Sequence, residues 1–156
     1  DYCIENNGLY SNENYQYNAR DNDCLENCKL DNKNTCTDKD KVKGSNDFKY
    51  KYTKSYSIDS LKEAVKINPV CIAIDAQDPI FRFYSEGVIE DNNKKEINLN
   101  HAVLLVGYDK DEKGDYWIVQ NSWGTNWGDN GYFKLRIKNG KGVLSSQLYG
   151  LYPYNS

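Results

Sequence analysis

The sequence contains no methionine, a single histidine (His101) and only three prolines. With no methionine even at position 1, the chain reads as a mature piece or a fragment rather than a whole open reading frame. No apolar run approaches the length of about 18 residues that a membrane-spanning helix needs. Asp1-Tyr2-Cys3 has neither the basic nor the apolar region of a signal peptide. An excess of positive charge is missing too: 20 Lys and Arg stand against 23 Asp and Glu, for a net charge of -3 and a pI near 5.2. That balance offers no basic field for nucleic acid. Phe48, Tyr50 and Tyr52 alternate with lysines. Such a pattern can stack on bases, but on an acidic chain the period of a half-exposed strand is the better account. Like-charge runs are short, so the charges read as a solvated surface.

The length of 156 residues permits one domain with a real core. The five cysteines are an odd count, which implies a free thiol or a partner outside the chain. Cys24, Cys28 and Cys36 sit in a segment rich in Asn, Asp and Lys that has little core of its own. Their spacing lacks the fourth Cys or the His that would complete a tetrahedral zinc site, so disulfides are preferred to a metal. Cys71, inside an aliphatic run, reads as a buried free thiol, and Cys3 as a core residue. No cofactor is implied.

Along the chain, Tyr2 to Asn7 has helical spacing and a stop at Asn7-Gly8. Residues 9–43 carry few aliphatics and read as an irregular surface segment. Ser57 or Asp59 caps a helix through about Ile67, with Leu61, Ala64, Val65 and Ile67 buried. Asn68-Pro69 ends it. Val70 to Ala76 is a central strand, and Phe81, Phe83 and Tyr84 form an aromatic cluster before Gly87. Tyr132 to Ile137 alternates as a strand, Asn139-Gly140 is a tight turn, and the chain closes on a strand around Tyr149. Several strands with adjacent turns and one short helix indicate an antiparallel barrel or half-barrel.

The most informative stretch is Asn100-His101-Ala102-Val103-Leu104-Leu105-Val106-Gly107-Tyr108, followed by Tyr116-Trp117-Ile118-Val119-Gln120-Asn121-Ser122-Trp123-Gly124. Two strands joined across Asp109 to Asp115 pair as a hairpin and bring His101 close to Asn121. That arrangement suits a general base whose ring is held by a neutral amide. A lone histidine before a strand is by itself more often structural, and Asn-Ser-Trp-Gly can be only a turn. Tryptophans are usually core, and Trp117 reads so.

These two pieces, continuing to Thr125-Asn126-Trp127-Gly128-Asp129-Asn130-Gly131-Tyr132-Phe133, resemble the C-terminal half of a papain-like cysteine protease of the cathepsin type. The likeness extends back to Asn68–Ala76 and to Glu13-Asn14-Tyr15-Gln16-Tyr17. It implies an α+β fold, mainly the β-barrel right domain of the family (residues 46–156) with a strip of the helical left domain (residues 1–45). It implies that His101 is the base and acid of a Cys-His-Asn triad, that Asn121 orients it, that Trp123 shields their hydrogen bond, and that Trp127 lies on the leaving-group side. The family's nucleophile lies in a Cys-Gly-Ser-Cys-Trp-type signature roughly 130–150 residues upstream of the His and Asn. None of the five cysteines here has that context, so the chain alone is expected to be inactive.

By the same likeness Ala73, Leu99, Asn100, Ala102 and Tyr149 line an apolar pocket for the second residue before the cleaved bond. It implies that Cys24 pairs with the missing N-terminal segment and leads to the expectation that Cys28 pairs with Cys36. A further family disulfide falls on Lys95 and Leu144, so both of its cysteines are replaced together. Expected partners are peptide or protein substrates, the N-terminal portion of the same protease, and a propeptide or cystatin-type inhibitor, with no nucleic acid and no membrane. The expected location is the secretory pathway, a lysosome-like vacuole or the extracellular space. The alternatives are a non-catalytic homologue that binds peptides or partners and a plain β-rich binding module.

Overall fold

The computed structural model describes residues 5, 8–13, 15–20, 29–30, 34–35, 41–42, 49–91 and 96–154. The expectations for Cys3, Cys24, Cys28, Cys36, Phe48 and Lys95 lie outside these residues. The chain divides into two compact units, Asp1–Lys49 with Asn155–Ser156, and Tyr50–Tyr154.

In the first unit, strand β1 (Lys29–Leu30) pairs antiparallel with β2 (Asn34–Thr35). Tyr10 bridges to Lys41, whose ammonium lies 5.4 Å from the Tyr10 ring centroid. Of the helix expected over Tyr2 to Asn7, only Glu5 is described, and it is helical.

The second unit is built on a seven-stranded sheet. In chain order its elements are β3 (Lys49–Tyr52, whose first residue belongs to the other unit), helix α1 (Ile58–Ile67), β4 (Val70–Ile74), helix α2 (Pro79–Arg82), β5 (Val88–Ile89), β6 (His101–Asp111), β7 (Gly114–Gln120), β8 (Tyr132–Arg136) and β9 (Gly150–Tyr154). Across the sheet the order is β3-β9-β4-β6-β7-β8-β5. The pairs β9-β4, β4-β6, β6-β7 and β7-β8 are antiparallel, and β8-β5 is parallel. This strand-rich sheet with few helices is the α+β arrangement expected.

Alternation along each strand decides which face packs. Val70, Ile72 and Ile74 of β4, Val103 and Leu105 of β6, Trp117 and Val119 of β7, and Phe133 and Leu135 of β8 all point to one core. Helix α1 covers part of it with Leu61 and Ala64. Ser57 caps that helix, its Oγ accepting from Ser60 N at 3.2 Å, and Asn68 N donates to Ala64 O at 3.1 Å before Pro69 ends the run. Ile67 departs from expectation, at 64% exposed. Six residues beyond Leu61, at about 100° each, it lies about 120° around the helix from Leu61, past the margin of the buried stripe.

Cys71 departs too. It is a free thiol on the exposed face of β4, because β-branched Val70, Ile72 and Ile74 take the core face. All four residues of β3 are exposed, so it is an edge strand without the half-buried face its alternation predicts. Phe81 and Tyr84 are both buried, each packed on Trp127 and Phe133, but Phe83 is 83% exposed and stands outside the cluster.

The β6–β7 hairpin is tighter than the charged segment predicts. Pairing continues to Asp111↔Gly114, leaving only Glu112-Lys113 as the turn. Asp111 Oδ1 accepts from Lys113 N and Gly114 N at 2.9 and 3.1 Å, and Gly114 takes a φ of 129°, which glycine adopts without a Cβ clash. Behind the hairpin, the buried Arg136 guanidinium holds both oxygens of Glu90 (3.0 and 2.8 Å) and both of Asp111 (2.9 and 2.9 Å). Trp117, fully buried as expected, donates Nε1–H to Gln147 Oε1 at 3.2 Å. Gln147 in turn donates to Lys138 O and Gly140 O at 2.6 and 3.1 Å, so the last loop is pinned to the core.

Candidate active site

His101 opens β6, and its backbone faces Ile74, the last residue of β4. Asn121 follows β7 directly, and its N–H donates to Gly131 O at 2.9 Å, which ties it to the Trp/Gly loop before β8. Antiparallel pairing of β6 with β7 therefore brings the two residues to one end of the sheet. His101 Nε2 lies 2.9 Å from Asn121 Oδ1. That oxygen also accepts from Ser122 N at 2.8 Å, which fixes the orientation of the amide. An amide oxygen only accepts, so the bond requires the proton on Nε2 and leaves Nδ1 as the basic nitrogen of the neutral ring. Asn121 is 8% exposed, and its Nδ2 is buried without a hydrogen-bond partner among the described residues.

An aromatic series runs from the core to this pair. Phe133 packs edge-to-face on Phe81 with centroids 5.0 Å apart, and Phe81 contacts Trp127 at 4.9 Å and Trp123 at 5.2 Å. The Trp123 ring lies 5.2 Å from the imidazole and inclined 33° to it, while Phe81 approaches from another side at 6.1 Å. Trp123 keeps 43% of its surface exposed and roofs the imidazole, and Trp127 donates Nε1–H to Arg82 O at 3.3 Å. In the loop carrying these tryptophans, Gly128 has a φ of 61°, and a Cβ there would meet Tyr132 O at 2.6 Å. Only glycine fits.

The pocket residues expected from the sequence gather only in part. Ala73 and Ala102 are register partners across β4 and β6, and Ala102 is exposed. Tyr149 lies one residue beyond the Ile72↔Gly150 pair, 46% exposed, with its ring 5.4 Å from Tyr52. A side-chain hydrogen bond shared with Tyr52, with burial next, pushes the Tyr149 phenol above its ordinary pKa. Leu99 is 39% exposed. Asn100 turns to the backbone instead, its Oδ1 accepting from Ala76 N at 2.9 Å. A shallow recess of about 250 Å³ does adjoin Asn121, lined also by Cys71, Ala102, Leu104, Gln120 and Ser122. The sequence reading missed Cys71 here, although the alternation of large Val/Ile with small Cys/Ala in β4 marks it.

Cys71 is not placed to act on His101. It pairs with Leu104, three positions along β6 from His101, or about 10 Å at 3.3 Å per residue. Partial burial raises its thiol pKa, the opposite of what an attacking thiolate needs. Among the described residues, no group of three or more His, Cys, Asp or Glu is arranged to hold a metal, and no helix is long and apolar enough to cross a membrane.

The model of the papain family cysteine proteases matches residues 1–151. Cathepsin L1 of Drosophila melanogaster is 40% identical over 154 residues, covering 96% of this chain and 38% of its own. Mouse (Mus musculus) cathepsin S is 37% identical over 153 residues, covering 97% and 41%. Among solved structures, bromelain from Ananas comosus in complex with the E64 inhibitor superposes with a TM-score of 0.76 at 29% identity, over 99% of this chain and 66% of that one. The proform of the ragweed pollen protease Amb a 11 gives 0.80 at 28% identity, over 99% and 39%. The chain thus spans well under half the length of these curated relatives. It belongs to the papain family of cysteine proteases.

Proposed function

We propose that this chain is the His- and Asn-bearing portion of a cysteine-type endopeptidase, whose nucleophilic cysteine lies outside these residues. The observation that carries the reading is the 2.9 Å contact from His101 Nε2 to an Asn121 oxygen already anchored by Ser122 N. With Nε2–H so engaged, Nδ1 is free to take the proton of a thiol. The resulting thiolate attacks the scissile carbonyl, and the imidazolium returns the proton to the leaving amine as the C–N bond breaks. Water, deprotonated by the same nitrogen, then releases the acyl group and regenerates the thiol. Trp123 covers the His101–Asn121 bond, and a hydrogen bond kept from water is stronger. Trp127 borders the side on which the amine departs.

Residues 1–45 belong to the left part of the peptidase domain and 46–156 to the right. Ala73, Leu99, Ala102 and Tyr149 border the pocket for the second residue before the cleaved bond, and Asn100 flanks it with its side chain turned to the Ala76 backbone. With small and apolar walls and a neutral Tyr149 hydroxyl, that pocket prefers Leu or Val to Arg. The protein works in the secretory pathway, a lysosome-like vacuole or outside the cell, on peptide or protein substrates, with a propeptide or a cystatin-type inhibitor as a further partner.

The test is hydrolysis of a peptide library by the full-length protein. Cleavage with Leu or Val at the second position, falling by two orders of magnitude or more in His101→Ala, supports the reading. An arginine-dominated profile removes the pocket assignment. Peptide binding without hydrolysis establishes the non-catalytic homologue instead.

A further inference from the structure

Asp75 is a carboxylate that the proton-transfer scheme does not use, yet it is only 3% exposed. Burying a carboxylate costs several kcal/mol unless donors surround it. Here Oδ1 accepts from Gln77 N at 3.0 Å and from Asn100 Nδ2 at 3.2 Å. Asn100 answers through its other amide atom, Oδ1 accepting from Ala76 N at 2.9 Å, while its own backbone N–H donates to Ile74 O at 3.1 Å. Asp75 N–H donates to Leu144 O at 2.9 Å. The end of β4 and the start of β6 are thus joined by three bonds around one asparagine side chain and backbone. His101 is the next residue, and its pairing with Ile74 is the last of the β4–β6 ladder.

We propose that Asp75 is a positioning residue for His101, acting through Asn100. The proposal rests on the reading of His101 as the proton carrier. Ladder ends fray, and a histidine at the end of one inherits that freedom unless something over-determines the backbone there. Asp75 Oδ1 acts as the acceptor of both bonds, so it admits only the Nδ2 side of the Asn100 amide and directs Asn100 Oδ1 to Ala76 N. A neutral amide at position 75 could accept the same bonds but would also offer donors of its own. The imidazole is then held at both ends, by Asn121 at the ring and by the Asp75–Asn100 pair at the backbone. A misplacement of about 1 Å at such a group can cost on the order of 100-fold in rate.

The experiment uses the full-length protein with Asp75→Ala, Asp75→Asn, Asn100→Ala and the double alanine variant. Asp75→Ala lowers kcat about tenfold or more with KM within about twofold, and Asp75→Asn, which keeps an acceptor oxygen, stays within about threefold. The double variant loses no more than the larger single loss, because both residues act through one link. Independently of turnover, ¹⁵N-histidine NMR reads the His101 Nε2–H that donates to Asn121, and this resonance moves in both single alanine variants. Asn100→Ala, at an exposed position, carries the test should Asp75→Ala not fold. A KM effect alone, multiplicative losses in the double variant, or an unmoved Nε2 resonance overturns the proposal. A wild-type protein without peptidase activity refutes the proposed function instead, and the NMR result still decides the role of Asp75.

Discussion

Replacing Phe81 by alanine should both unfold the protein more easily and loosen the imidazole. Phe81 is fully buried, and its ring lies between 4.9 and 6.1 Å from those of Trp127, Phe133, Trp123 and His101. All four separations fall where aromatic pairs attract, each worth about 0.5–1.5 kcal/mol beyond the buried area. Truncating a buried phenylalanine leaves a cavity and costs about 3–5 kcal/mol. For a protein of 150–250 residues each kcal/mol moves Tm by about 2–4 °C, so the expected fall is about 6–20 °C. Phe81→Leu keeps most of the apolar volume but none of the ring geometry, and should lose about 1–2 kcal/mol. Phe83→Ala is the control: at 83% exposure it should stay within about 0.5 kcal/mol. Urea unfolding of the full-length variants, with m-values compared, measures all three. A loss below about 1 kcal/mol for Phe81→Ala, or equal losses at 81 and 83, would refute the view that this ring joins the core to the site.

Other expectations follow from single contacts. Gln147→Leu strands the buried Trp117 Nε1–H and two carbonyls, and should cost about 2–4 kcal/mol in urea unfolding even though leucine fits the volume. Gly128→Ala must change a φ of 61° and clear Tyr132 O at 2.6 Å, so it should destabilise by about 2 kcal/mol or more, which a Tm shift of several degrees would reveal. Hydrogen bonds from Arg136 hold the Asp111 carboxyl at about 2, below its ordinary 3.8. A depressed folded-state pKa gives stability that is present above the unfolded value and lost as pH falls through the folded one. The difference in stability between wild type and Asp111→Asn should therefore be constant down to about pH 4.5 and shrink between about pH 4 and pH 2. A difference that persists undiminished at pH 2 would contradict the ion-pair account.

Much of the fold could be read from local pattern. The Ser57 cap, the Pro69 stop and the β6–β7 hairpin follow from residue types within a few positions of one another, and each appears where expected. The errors arise where a face had to be chosen. Cys71 reads as interior from its aliphatic neighbours, yet strand alternation gives that interior to Val70, Ile72 and Ile74. Phe83 and Ile67 failed for the helical equivalent of the same reason, lying off the stripe that Phe81 with Tyr84, and Leu61 with Ala64, define. The His101–Asn121 contact was legible because one hairpin register determines it. The Asp75–Asn100 link was not, since it joins two strand ends 25 residues apart and depends on side-chain rotamers that no periodicity encodes.

The central claim is that His101 and Asn121 serve a cysteine nucleophile that lies outside these residues. Labelling the full-length protein with an epoxide-type thiol probe, followed by peptide mass mapping, tests it most directly. The account predicts one modified cysteine outside residues 1–156, with labelling reduced by orders of magnitude in His101→Ala. Labelling at Cys71, or labelling indifferent to His101, would contradict it.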